Sequence, residues 1–218
     1  QLTQHLPHSF IVTNNRIASK PATVNLQAHD NQDNKKVWLS QTEVDQLLEH
    51  ADDTEHYVVF ALGVRCGLRS HEMLEVAPQH VHDTDAGHML RVHHGKGNKF
   101  RETPLPAPLA RQITTIGDVR NEPVDKPVIS TDSTRTLRGW INRHREHLAT
   151  TTDDPGWLEL SLHDLRRTWA TALSDEGVDP LIALSWGGWE DLETFRSHYK
   201  GPYSPKAKRE NRNKVAWL

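Results

Sequence analysis

Over residues 1 to 36 apolar side chains are sparse and follow no clear period, and Asn, Gln, His, Asp and Lys predominate, the pattern of a linker or tail. A helical period begins near Val37. Val44, Leu47, Leu48 and Ala51 form one stripe, and Ser40 followed by Glu43 is a capping-box start. His56 to Leu74 reads as a second helical region, strongly apolar and interrupted by the small residues Gly63, Cys66 and Gly67. Between Gln79 and Leu105 the period shortens. His88 to His94 alternates roughly apolar and polar positions, and Gly95-Lys96-Gly97-Asn98 supplies turn chemistry between two strand-like runs, which predicts a small antiparallel sheet. Pro104, Pro106 and Pro108 close the sheet and lead into a helix from near Leu109. Further helices are predicted over 134–149, 162–174, 180–185 and 190–199, with Asp132 or Ser133, Ser161 and Asp179 as N-caps. No repeat or heptad interrupts the series. The fold class predicted is mainly α with a small antiparallel β-sheet, an α+β domain.

Length and composition narrow the picture. The 218 residues suit one sizeable domain with extra segments. Gln1 in place of Met leaves room for a preceding segment with a function of its own. A lone cysteine, Cys66, excludes an internal disulfide framework and a Cys-rich zinc site, so a reducing, cytoplasmic compartment is expected. No apolar run approaches the ~18 residues of a membrane span, and the first residues lack a charged segment leading into an apolar stretch. No membrane partner is expected.

A formal net charge of -3 argues mildly against nucleic acid as a partner, because phosphate affinity comes from Lys and Arg. The distribution of charge argues the other way. Glu43 to Glu55 carries six acids and no Lys or Arg, whereas Arg196 to Lys214 carries seven bases against the single acid Glu210. A basic face on an acidic body reconciles the two, and ordinary solvated surfaces are the plain alternative.

Metal-free cleavage of a phosphodiester needs a nucleophile, fixed positive donors around the charged phosphorane, and an acid for the departing oxygen. Three stretches supply candidates. In Gly67-Leu68-Arg69-Ser70-His71-Glu72, an arginine follows a Gly-Leu turn with a glutamate three residues on; an i,i+3 surface ion pair is the bland reading. In His163-Asp164-Leu165-Arg166-Arg167, His163 and Arg166 share one face near a helix N-terminus, where a phosphate would meet an imidazole, a guanidinium and the helix dipole. The alternative there is a solvated basic turn. The third stretch holds Trp189 and then Arg196-Ser197-His198-Tyr199-Lys200, where Tyr199 alone reads as a packed aromatic, since an unperturbed phenol of pKa about 10 is a poor nucleophile at neutral pH. Trp189 alone reads as core.

In order and spacing these stretches resemble the tyrosine recombinase (phage integrase) family, from about Val37 to Lys200. The family pattern is an Arg in a Gly-Leu-Arg-x-x-Glu box, a Lys on a β-hairpin, a His-x-x-Arg box, a Gly-His/Trp pair and a Tyr shortly after. The resemblance implies Arg69 and Arg166 as phosphate clamps, His163 as a phosphate donor and proton manager, and Trp189 at the His/Trp position. It implies Tyr199 as nucleophile and Lys96 as the acid that protonates the leaving 5′ hydroxyl, with Glu72 as a buttress of the site. Tyr199 lies ten residues beyond Trp189, about one more than is usual, so the helix bearing it is expected to start differently, and Tyr203 stays open as the nucleophile. Lys99 stays open in place of Lys96.

The implied function is a site-specific DNA recombinase or integrase working through a 3′-phosphotyrosyl bond, with no metal, ATP or other cofactor. The implied partners are double-stranded DNA and three further copies of the chain in a tetramer. A type IB topoisomerase shares the same chemistry, and a non-catalytic DNA-binding relative shares the fold; a covalent-adduct assay and a supercoil assay separate them. Three segments are expected: 1–36 as a linker or tail, with the family's N-terminal DNA-clamping domain either absent or outside this sequence, 37–201 as the catalytic domain, and 202–218 as a basic C-terminal tail. The tail ends in Val215-Ala216-Trp217-Leu218, a tip for a neighbouring subunit or a frayed end.

Overall fold

A computed structural model describes residues 24–28, 35–94, 99–199 and 201–215. Helix α2 (Thr54–Cys66) is the axis of the core. Val58, Val59, Phe60, Ala61, Leu62, Val64 and Cys66 are all buried, so nearly its whole circumference is covered. Such an all-round apolar helix is stable only with neighbours on every side. They are α1 (Gln41–Glu49), α4 (Ala107–Arg120), α5 (Thr134–Thr151) and α6 (Leu162–Asp175). Gly63 lets α6 come close: a Cβ there would lie 2.7 Å from Leu165 Cβ.

The capping box of α1 forms as its sequence predicts, Ser40 N–H donating to Glu43 at 2.6 Å and Glu43 N–H to Ser40 Oγ at 3.4 Å. Strands β3 (Val81–Thr84), β4 (Gly87–His94) and β5 (Lys99–Pro104) make an antiparallel sheet in that order. Leu90 pairs with Thr103 and Val92 with Arg101, and these four residues are buried.

A further strand lies within the residues expected to be tail. β1 (Asn25–Ala28) pairs antiparallel with β2 (Lys35–Trp38), and Val24 N–H donates 2.8 Å to the buried Asp154 carboxylate. The packed unit thus takes in residues from Val24, ahead of the start expected near Val37. The strand Asn25-Leu26-Gln27-Ala28 was hard to foresee because it buries little: its residues are exposed or half-exposed and its stability comes from the ladder. β2 is tied to α6 by Val37 N–H to Asp164 Oδ1 at 3.2 Å and Leu39 N–H to Thr168 Oγ1 at 3.0 Å.

A second, smaller core of Trp169, Ala170, Ala183, Trp189 and Phe195 packs α6 against α7 (Pro180–Gly187) and the segment beyond. The single helix expected over 190–199 is two pieces, α8 (Leu192–Thr194) and a π turn, Phe195–Tyr199. Helix α9 (Pro205–Asn213) follows. It rests on its own chain through buried Ala207, Ser204 N–H to Asp175 at 3.2 Å and Lys206 to Glu176 at 2.6 Å. Among the described residues no helix is long and apolar enough to cross a membrane.

Candidate active site

Helix α2 ends because Gly67 takes φ 68, a left-handed conformation that glycine adopts without the Cβ penalty. Gly67 N–H bonds back to the Gly63 carbonyl, the 5→1 bond of an αL cap, and Leu68 N–H bonds to the Leu62 carbonyl. No side chain fits at 67, since a Cβ would stand 2.0 Å from the Trp169 ring. The turn delivers Arg69 as N-cap of the short helix α3 (Ser70–Met73).

Glu72 in α3 is 2 % exposed and accepts hydrogen bonds from two arginines. Arg69 gives two, from its backbone N–H at 2.7 Å and Nη1 at 2.9 Å. Arg101 gives two more, from Nη1 at 2.7 Å and Nη2 at 2.9 Å. Burial alone would raise the Glu72 pKa; the hydrogen bonds and charge of Arg101, and then those of Arg69, outweigh it and hold the carboxyl at about 2. Glu72 is therefore an anion that orients guanidinium groups and has no proton to give at neutral pH. The bland reading of a surface ion pair does not hold, because the glutamate is in the interior.

Arg101 was not foreseen. It stands on β5 opposite Val92, and its Nε donates to the Trp186 carbonyl at 2.9 Å, so it joins α3, the sheet and α7. Alternation along β5 carried a signal: exposed Phe100 puts Arg101 and Thr103 on the inward face, and an inward arginine requires an acid.

On α6, Ser161 and Asp164 form a capping box, with Asp164 accepting from Ser161 N–H at 2.9 Å and Ser161 Oγ at 2.5 Å. Asp164 also takes Arg167 Nη1 at 2.5 Å, which commits Arg167 to the scaffold. Arg166 has no solvent-accessible surface. Its Nη1 donates to the Gly67 carbonyl, and its Nη2 to the Gly187 carbonyl at 2.6 Å. Both carbonyls belong to helix C-terminal ends, where the dipole favours a cation. The guanidinium carbon also lies 4.6 Å from the centre of the Trp189 ring.

His163, one turn before Arg166, is solvent-exposed. Desolvation by the surrounding protein, then repulsion from Arg167, Arg166 and Arg69, outweighs attraction to Asp164 and lowers the imidazole pKa to about 4. One face of the ring stays open to solvent, and the ring is neutral at pH 7. Arg69 is thereby brought within electrostatic reach of His163, and Arg166 follows one turn on in α6, although Arg69 lies more than 90 residues earlier in the chain.

Trp189 is 7 % exposed, stacked at 5.8 Å on Trp169 and tilted against Phe195 at 4.8 Å. Gly188 at φ 62 makes the turn into it, and Gly187 makes room, since a Cβ there would stand 2.1 Å from the indole. Tyr199 closes the π turn that starts at buried Phe195. A π turn absorbs one residue more than an α turn, which accommodates the longer spacing from Trp189. Just beyond, Gly201 N–H donates 2.7 Å to Thr171 on α6, and a Cβ at 201 would stand 2.6 Å from Trp38 Nε1. Tyr203, 47 % exposed, lines a groove of about 840 Å³ with residues 174–180 at the far end of α6.

Lys96 lies outside the described residues, as do residues 216–218 of the apolar tip. Lys99 begins β5, paired with His94. An open cavity of about 1070 Å³ is lined by His71, Arg120, Ser130 and Thr134 among others and touches none of the candidate residues. Of the candidate donors His163 is exposed and the Arg69 side chain is a quarter exposed, whereas Arg166 is sealed in the interior.

The family model described as the phage integrase family matches residues 37–204. Tyrosine recombinase XerA of Thermococcus kodakarensis is 28 % identical over 164 residues, 74 % of this chain and 57 % of that protein. Among solved structures, a XerA recombinase superposes with a TM-score of 0.65 at 20 % identity, covering 82 % of this chain and 64 % of the other. The Tn1549 transposon integrase in complex with transposon right end DNA gives 0.63 at 15 % identity, over 86 % and 69 %. The XerH site-specific recombinase bound to palindromic difH substrate gives 0.58 at 19 % identity, over 83 % and 53 %. The chain therefore spans about three fifths of the length of the XerA relatives. At such identities the structural likeness is one of fold, and the family match over most of the chain supplies the rest: this chain belongs to the phage integrase family and has the tyrosine recombinase catalytic-domain fold.

Proposed function

We propose that this chain is the catalytic domain of a site-specific DNA recombinase that cuts and rejoins strands through a 3′-phosphotyrosyl bond at Tyr199. The observation that carries the reading is the convergence of Arg69, His163 and Arg166 from two separate boxes onto one patch, with Trp189 packed beneath. In the proposed step Tyr199 Oη gives its proton to the neutral His163 imidazole and bonds to the scissile phosphorus while the bond from phosphorus to O5′ breaks. O5′ takes a proton from Lys96. One ester replaces another, so the second DNA end reverses the step without ATP. Arg69, a quarter exposed in its side chain, and His163 are the donors a phosphate meets first. Contact with the buried Arg166 requires the turn at Gly187 to Trp189 to move aside. Glu72 and Arg101 hold Arg69 in place.

Two features favour Tyr199 over Tyr203. The π turn and the Gly201 anchor seat Tyr199 along the flank of α6, whereas Tyr203 lines the groove at its C-terminal end. From His163 to Ser174 along α6 is about 16 Å at 1.5 Å per residue. The catalytic unit as proposed runs from Val24 to Gly201, with the earlier residues as a linker and 202–218 as a tail. Double-stranded DNA is the proposed partner, a tetramer the proposed working assembly, and the cytoplasm the proposed location.

A nicked suicide substrate, which traps the covalent intermediate, tests the reading. Wild-type protein is expected to give a slow-migrating adduct on a denaturing gel, and Tyr199→Phe to bind the same DNA with no adduct. An adduct of normal yield from Tyr199→Phe overturns the assignment and points to Tyr203.

A further inference from the structure

On the side of α2 away from Gly67, three side-chain atoms form a compact triangle. Asp52 stands just ahead of α2, His56 is in its first turn, and His144 comes from α5. His56 Nδ1 lies 2.8 Å from Asp52 Oδ1 and 3.1 Å from His144 Nε2. His144 Nε2 lies 3.3 Å from Asp52 Oδ1.

Protons do not satisfy this arrangement. A hydrogen bond joins one donor to one acceptor, and a ring of three atoms cannot alternate between the two roles. Whichever imidazole tautomers form, one edge of the triangle sets donor against donor or acceptor against acceptor. A single cation facing all three atoms removes the conflict, because each then offers a lone pair to the ion. The dimensions also fit. Ligand atoms about 2.0–2.1 Å from a tetrahedral zinc ion are ~3.3 Å apart, close to the three edges observed. An ion at that distance from all three would stand about 1 Å out of their plane.

The surroundings suit a metal site as well. Both imidazoles are buried. Packing fixes them: His56 lies 4.3 Å from the Trp140 ring, and His144 meets Phe60 edge-on at 4.9 Å. The Asp52 side chain is 72 % exposed, giving an ion a way in and water a place as fourth ligand.

We propose that Asp52, His56 and His144 bind one divalent transition-metal ion of the zinc type, in a structural site that clamps the start of α2 to α5. This site takes no part in strand transfer, and the proposal stands whether or not Tyr199 is the nucleophile.

The untagged full chain, freed of metal by chelation, tests it by Co²⁺ titration followed by visible absorption, then displacement by Zn²⁺. Wild-type protein is expected to bind one equivalent with a tetrahedral cobalt spectrum, and Zn²⁺ to raise the thermal midpoint by several degrees. Asp52→Ala, a surface change, should weaken binding by about tenfold or more, and His144→Gln should abolish it. His147→Gln is the control and should bind as wild type, since His147 pairs with His50 at 5.6 Å outside the triangle. Absence of saturable binding overturns the proposal. So does unchanged affinity in Asp52→Ala, which would place the ion on others of the 15 histidines. If His144→Gln does not fold, Asp52→Ala decides alone.

Discussion

Arg101 and Glu72 form a buried two-pronged ion pair across 29 residues of sequence, with contacts of 2.7 and 2.9 Å. Removing one partner strands the other charge in the interior, which costs more than the pair itself is worth. Arg101→Ala is therefore expected to destabilise the fold by about 3 kcal/mol or more, read as a lower midpoint in chemical denaturation. Arg69 still reaches Glu72 in that variant, which keeps the loss toward the low end. Arg101→Lys, which cannot reproduce the paired fork, should recover only part of it. A midpoint unchanged in Arg101→Ala would show that Glu72 has another counter-charge.

The same carboxylate sets an acid limit. Its pKa falls from 4.5 to about 2 on folding, so the folded state binds the proton less readily than the unfolded one. The stabilisation is complete above the unfolded value, near 4.5, and is lost as pH falls toward 2; its upper bound is about 3 kcal/mol. Glu72→Gln should flatten the stability curve between pH 4.5 and 2 while lowering stability at neutral pH. Equal slopes in the two proteins over that window would remove Glu72 from the account.

His163 also has a lowered pKa, about 4, and is neutral at pH 7 in the free protein. A phosphate bound beside it adds a negative charge and must raise that value. DNA binding near pH 6 should then take up protons, seen as a binding enthalpy that depends on the ionisation heat of the buffer. The His163 ring resonances should titrate near pH 4 without DNA and at higher pH with it. His163→Gln should lose the proton uptake; uptake retained in that variant assigns it to another of the histidines.

Much of the scaffold is legible in the chain. Ser40 with Glu43 and Ser161 with Asp164 are helix starts written in four-residue patterns, because a cap is satisfied locally. The alternation of β4 and the Gly67 break after α2 are local for the same reason. Strand β1 is not legible, because its polar Asn25-Leu26-Gln27-Ala28 run is held by backbone pairing with β2 and not by an apolar face. The π turn at Phe195–Tyr199 follows from Phe195 packing on Trp189, a tertiary contact that the helical period of 190–199 does not report. Arg101 needed knowledge of Glu72 across the core. In the candidate site, residue types and order single out Arg69, Glu72, His163 and Arg166, but that Arg166 is sealed under Gly67, Gly187 and Trp189 emerges only from the packing.

Gly187 is where that seal is most sensitive. A methyl group at 187 would lie 2.1 Å from the Trp189 ring, and the ring is pinned on its other sides by Trp169 and Phe195. Gly187→Ala should cost about 1–3 kcal/mol through overpacking and shift the tryptophan emission as Trp189 is displaced. Because the Gly187 carbonyl also holds Arg166, adduct formation should fall more than DNA binding does. Loss of stability with full adduct yield would separate the seal from the chemistry.

The proposed role of Lys96 comes from the family resemblance, and chemistry offers a test that does not depend on its position. A departing 5′ alkoxide is a poor leaving group and needs a proton, whereas a 5′ thiolate leaves unprotonated. Lys96→Ala should therefore slow cleavage of an ordinary suicide substrate by about 10²–10⁴-fold, the usual worth of a general acid. With sulfur at the 5′-bridging position the variant should cleave at close to the wild-type rate. A fold defect or weakened DNA binding would slow both substrates alike, so the ratio of the two rates isolates proton donation. If the sulfur substrate rescues Lys99→Ala and not Lys96→Ala, the acid is Lys99, one hairpin step along.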